Sequence, residues 1–185
     1  MKKRQKIRIS ILFMILTGLF LSGCDQPFGT QEKHDFSEIC YVGANYGGAS
    51  YGTVYDMISA DVVLCTDKKV YVYLPSSTDD SSVEKLVATL AITDEQYNNI
   101  VNAVDRNMLY KLDPKPDYDV CDGYFRYLYL YDTHGEVCDI CGGYMPKNKK
   151  FNEMYDAFCQ NIPCNEINDI RSAYIDQLRK MEEGE

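Results

Sequence analysis

Two hydrophobic periods alternate along this chain, and they predict most of its elements. Residues 60–65 (ADVVLC) and 69–74 (KVYVYL) are rich in Val and Tyr. Thr66, Asp67 and Lys68 separate them, so the pair reads as a β-hairpin. A polar stretch follows, residues 75–82 (PSSTDDSS). Residues 85–91 (KLVATLA) fit either a strand or a short helix, and we favour the strand. The period then changes. Thr93, with Gln96 three residues on, forms a capping-box signature, and Tyr97, Ile100, Val101 and Val104 recur at helical spacing behind it. Asp105 to Asn107 close this helix, and the Pro114 and Pro116 segment is one a helix does not cross.

The second half repeats that order. Residues 124–131 (YFRYLYLY) predict a strand, Asp132-Thr133-His134-Gly135 a turn, and residues 136–141 a returning strand. Gly142 to Pro146 are expected to leave the sheet. Phe151, Met154, Tyr155 and Phe158 mark a second amphipathic helix, closed by Asn161 to Pro163. Ile167, Ile170, Tyr174, Leu178 and Met181 mark a third, from about Asn165. The pattern predicts an α+β fold: an antiparallel sheet built from two hairpins, with amphipathic helices packed on one face, in two ββα-like repeats. Residues 40–53 (CYVGANYGGASYGT) show neither period. Their four glycines suit turns and close backbone approach, and their three tyrosines can pack or bind. No Gly-Lys-Ser/Thr ends this stretch, which argues against a phosphate-binding loop.

The N-terminus has another character. Residues 1–8 (MKKRQKIR) carry five basic residues, and residues 9–21 (ISILFMILTGLFL) are almost wholly apolar. As a helix this run reaches about 20 Å, short of the roughly 30 Å hydrocarbon core, so it reads as an export signal rather than a span. Leu21-Ser22-Gly23-Cys24 closes it. This tetrad resembles the lipobox of bacterial lipoproteins. The resemblance implies diacylglyceryl modification of Cys24, removal of residues 1–23, and tethering to the lipid bilayer on the extracytoplasmic face of the cell membrane. More than one acyl chain on Cys24 gives stable anchoring. Residues 24–38 then form a flexible tether, and residues 39–185 a single α+β domain. The segments 130–146 and 151–156 (FNEMYD) are similar to segments of small uncharacterised bacterial lipoproteins, a likeness that implies no activity.

Cleavage changes the charge. The whole chain has 19 basic and 28 acidic residues, a net −9. Five of the basic residues and none of the acidic ones precede Cys24, so the mature chain stands at −14. Such a domain is repelled by nucleic acid and by anionic polymers, and no nucleic-acid partner is expected. Of the eight cysteines, lipidation takes Cys24 and leaves seven. Export favours disulfides, and an odd number leaves one thiol over or pairs it between molecules. In an anoxic cell all seven can instead stay reduced as small buried hydrophobes.

Candidate chemistry is sparse. Cys138 and Cys141 form a C-x-x-C. It lies on a strand rather than at a helix N-terminus, so the two thiols are expected on opposite faces. Taken with Cys159 and Cys164, the spacing approaches a zinc pattern, but the second pair is four apart and a helix fills the connection; no metal or other cofactor is expected. Cys159 and Cys164 flank a helix end and are the preferred disulfide pair. Only two histidines occur, His34 on the tether and His134 in a turn, with no nucleophile motif near either. Tyr127, Tyr129 and Tyr131 alternate on one strand and share one face, opposite Leu128 and Leu130. An exposed tyrosine row there would serve as a contact surface for an envelope component or a protein. The expectation is a non-enzymatic, membrane-tethered binding or accessory domain, with a thiol-dependent redox enzyme using Cys138 and Cys141 as the alternative.

Overall fold

The computed structural model describes residues 40–48, 52–75, 84–119, 123–132 and 135–184, all of them in one compact unit, Gln31–Glu185. The lipobox, the tether, Cys121 and His134 lie outside the described residues. A six-stranded antiparallel sheet is built from β1 (Cys40–Tyr46), β2 (Ala60–Cys65), β3 (Lys69–Pro75), β4 (Glu84–Ala91), β5 (Phe125–Tyr131) and β6 (Val137–Tyr144). Its order is β4-β3-β2-β1-β5-β6. Two one-turn helices, α1 (Val54–Met57) and α3 (Arg106–Leu109), join three longer ones: α2 (Asp94–Ala103), α4 (Lys149–Asn161) and α5 (Cys164–Glu183). The fold is α+β. Among the described residues no helix is long and apolar enough to cross a membrane.

Both predicted hairpins form. Lys68 takes a left-handed conformation (φ 61°) in the β2–β3 turn, and the Asp67 side chain accepts from the Lys69 N–H at 3.1 Å. Residues 85–91 are a strand, at the sheet's edge. With β1 and β4 added, the first half runs βαβββαα against ββαα in the second, so the two halves correspond only in the hairpin and the helices that each contributes. The capping box at Thr93 is present, its hydroxyl accepting from the Gln96 N–H at 3.2 Å while the Gln96 side chain accepts from the Thr93 N–H at 2.9 Å.

One face of the sheet carries the main core. Val42 and Ala44 of β1, Val62 and Leu64 of β2, Val70, Val72 and Leu74 of β3, and Leu128 and Leu130 of β5 are sealed from solvent. Ile100 from α2, Phe151, Met154 and Phe158 from α4, and Ile167 from α5 cover them. The predicted helical stripes therefore face the core, with Tyr97, Val101, Ile170 and Leu178 partly buried and Met181 exposed near the end of α5.

Two elements depart from the sequence expectation. Gly142-Gly143-Tyr144 stays in the sheet as the end of β6. A side chain at Gly142 is ruled out by contact: a Cβ would lie 2.1 Å from the Arg126 carbonyl oxygen and 2.7 Å from Tyr127 Cα, at a φ of 153°. β1, unsignalled by periodicity, is the central strand. Gly43 permits this, because the Tyr131 ring lies over it, and a Cβ there would meet the ring and its hydroxyl at 3.0 Å.

Asn45 joins the two halves of the sheet. It is the buried polar residue of the core. The main-chain register between β1 and β5 covers Val42 to Ala44. Beyond it, the Asn45 amide donates to the Phe125 carbonyl at 3.1 Å and its oxygen accepts from the Tyr127 N–H at 2.6 Å. The Tyr155 hydroxyl of α4 donates to the Asn45 carbonyl at 2.7 Å. Replacing Asn45 with Ala strands a carbonyl and an N–H of β5, and is expected to cost about 2–4 kcal/mol of folding free energy in a denaturant titration.

Candidate binding face

Strand alternation sends every second side chain to the face away from the helices, and the pairing registers align these in rows. One row runs Thr89, Tyr71, Val63, Gly43, Tyr129, Ile140; the next holds Leu86, Tyr73, Asp61 and Asn45. Val63, Cys65, Tyr73 and Tyr131 form a second, smaller core on this side, with Tyr71, Tyr129 and Val137 packed against it and no helical residue among them.

Tyr127, Tyr129 and Tyr131 do share this face, as expected, but they do not form an exposed row. Tyr131 is 2% exposed, lying on Gly43 between the ladders. Tyr129 is half-buried and donates to Asp61 Oδ1 at 3.2 Å. Burial, and then the Asp61 carboxylate, push its phenol well above the ordinary tyrosine range. Tyr127 is half-buried and stacks on Phe125 with centroids 6.0 Å apart and planes 10° from parallel. The row fails as an exposed surface because neighbouring tyrosines from β3 crowd it and Gly43 leaves a hollow that Tyr131 fills.

Accessible aromatic surface lies instead at the β5–β6 end. Phe125 (43% exposed) meets Tyr144 edge-on at 5.1 Å, and Tyr118 (76% exposed) stacks on Tyr144 at 6.4 Å. Ile140, also exposed, lies four residues before Tyr144 on β6, opposite Tyr129. Two ion pairs lie near this end, Lys147 with Asp117 at 2.6 Å and Arg126 with Asp156 at 3.1 Å. Alternation from Tyr127 could have found Phe125. The contribution of Tyr118, from a loop before β5, had no sequence signal.

The face also holds an acidic pair that sequence spacing did not reveal. The carboxyls of Asp61 on β2 and Glu84 on β4 are hydrogen-bonded to each other, and Glu84 Oε2 is buried without a protein donor. Burial pushes Asp61 up to about 6; burial and then the Asp61 carboxylate push Glu84 up to about 8.

Among the described residues, no two cysteines are bridged. Cys138 is exposed and within hydrogen-bond reach of the Tyr110 hydroxyl at 2.9 Å. Cys141 points into the core, its thiol 3.6 Å from the Leu112 carbonyl, and burial pushes it up to about 11. The expected placement on opposite faces does not follow, because a bulge interrupts the alternation at Cys138, where Leu130 pairs with Asp139 and Tyr131 with Val137; the two thiols contact Tyr110 and Leu112 of the same segment after α3. The preferred disulfide, Cys159 to Cys164, is not formed. The Cys164 thiol donates to the Cys159 carbonyl at 2.8 Å, while Cys159 is engaged by Tyr155 and Cys164 by Tyr46. The turn between α4 and α5 thus gives each thiol an oxygen partner. No group of three or more metal-ligating side chains occurs among the described residues.

Comparison with protein-family models, curated proteins and solved structures gives no match. Geometry alone therefore bears on function.

Alkylation distinguishes the two thiols of the C-x-x-C. At pH 8 the folded protein is expected to react at Cys138 and to leave Cys141 unmodified until denaturant is added, as read by mass spectrometry of the peptides. Equal labelling of both in the folded state would contradict the burial of Cys141.

Proposed function

We propose that this chain is a lipid-anchored extracytoplasmic binding domain, without catalytic activity of its own, that holds an envelope component against the β5–β6 margin of its tyrosine-bearing sheet face. The observation that carries this is the exposed aromatic cluster of Phe125, Tyr144 and Tyr118 on a rigid, hydrogen-bonded sheet. Surface aromatics gathered in this way offer contact area at little conformational cost. Tyr127 supports the cluster by stacking on Phe125; Tyr129 and Tyr131 act beneath it as packing. The net negative charge of the mature chain disfavours anionic polymers as the partner. The anchor rests on the Leu21 to Cys24 tetrad and the short apolar run before it.

Photo-crosslinking in living cells tests the binding part. A photoreactive residue placed at Phe125 or Ile140 of the full chain is expected to give discrete adducts, and one at Met181 on α5 to give none. Indistinguishable adduct patterns at all three positions would overturn the assignment of the face. For the anchor, Cys24→Ser is expected to abolish incorporation of labelled palmitate and move the protein out of the membrane fraction. Undiminished label in that variant would rule out Cys24 as the acylated residue.

A further inference from the structure

The acidic pair on the sheet face calls for a proton. Asp61 sits on β2 opposite Tyr73 of β3, and Glu84 opens β4 opposite Pro75, so the two carboxyls meet across the intervening strand. Two ionised carboxylates have no hydrogen to offer each other. The Tyr129 hydroxyl is the donor that Asp61 receives from outside the pair, and Glu84 Oε2 receives none although it is buried. A single proton accounts for the contact: it turns one carboxyl into a donor to the other and, by removing one of two like charges, lowers the cost of leaving Glu84 Oε2 without a donor.

We propose that Asp61 and Glu84 share one proton in the neutral protein, and that its loss in mildly alkaline conditions unlocks the start of the edge strand β4. Among the described residues, the neighbours of the pair bring no cation to it. From β3 come Tyr73 and Tyr71, from β5 Tyr129 and Tyr131, from β1 the uncharged Asn45, and from β2 itself Val63 and Cys65. Lys85, the nearest cation along the chain, lies over the Tyr174 ring of α5 at 5.4 Å. No lysine or arginine contributes to the state of either carboxyl among the described residues. β4 is an edge strand, held on one side by β3 alone. The Tyr174 hydroxyl donates to the Pro75 carbonyl beside Glu84, so this end of β3 and β4 is held from the helical side by Tyr174 and from the other by the carboxyl pair. Removing the proton leaves two buried anions side by side, and separation or hydration of Glu84 is their relief.

The direction with pH follows from the raised carboxyls. The folded state binds more protons than the unfolded chain between the ordinary carboxyl range, near 4, and about 8. The pair's contribution is therefore intact below that range and is lost as pH rises through about 6 to about 8. The two steps belong to the pair rather than to either residue.

The device does not depend on any binding partner, and its test uses the isolated protein. Difference infrared spectra of the wild type against Glu84→Gln are expected to show the carbonyl band of a protonated carboxylic acid at pH 7 that disappears by pH 10. Glu84→Gln supplies a permanent donor to Asp61, so its melting temperature should fall less than that of the wild type between pH 5 and pH 9. At pH 9 the backbone amides of residues 84–88 should exchange with deuterium several-fold faster in the wild type than in this variant. Absence of the acid band at pH 7, parallel melting profiles, or equal exchange at pH 9 would each overturn the proposal. Should Glu84→Gln fail to fold, the infrared band of the wild type between pH 7 and pH 10 decides alone.

Discussion

The sheet depends on how its two halves are joined through β1. Main-chain pairing between β1 and β5 is short, and it ends where the Asn45 side chain takes over, donating to one β5 peptide group and accepting from another. A buried amide that satisfies both of its functions is specific in a way that apolar packing is not, because a one-residue slip of β5 would part it from both the Phe125 carbonyl and the Tyr127 N–H. The same residue receives the Tyr155 hydroxyl through its carbonyl. One position thereby fixes the register of the second hairpin against the first and the seat of α4 on both.

What was legible in the sequence followed from repetition. Hairpins with alternating Val, Tyr and Leu, the Thr93 capping box and the Phe151 to Phe158 stripe are local patterns, each readable within a dozen residues. β1 was not legible, because Gly43 and Asn45 are poor strand formers chosen for what lies over or beside them rather than for the strand. Gly142 misled for the same reason: its lack of a side chain admits the Arg126 and Tyr127 backbone instead of ending the strand. In the candidate site, alternation placed Tyr127, Tyr129 and Tyr131 on one face correctly, but exposure depends on neighbours supplied by β1 and β3. The Asp61 and Glu84 pair spans strands that are not adjacent, and no spacing rule brings them together.

The two faces of the sheet solve burial differently. The helical side is sealed by aliphatic and phenylalanine side chains, with Cys141 among them as a small apolar filler. The other side is sealed at its centre by tyrosines, whose hydroxyls can serve a carboxylate as well as pack. That chemistry explains how acidic groups come to lie within a hydrophobic layer, and why the exposed margin remains at the β5–β6 end. Within the C-x-x-C, Cys141 is buried in the helical-side core and Cys138 is exposed beside Tyr110.

The position of β1 also has a consequence for the order of events along the chain. It precedes every other described strand, yet it ends in the middle of the sheet, and its Asn45 must find partners 80 and 82 residues later. Each hairpin can close on local contacts within microseconds, but the seam between them cannot close until the β5 segment exists. Until then β1, paired with β2 alone, presents an open edge of unpaired peptide groups beside an uncovered apolar surface. The exposed period of this molecule is thus set by the length of chain between residues 46 and 125, and any chaperone that attends it has that interval in which to act.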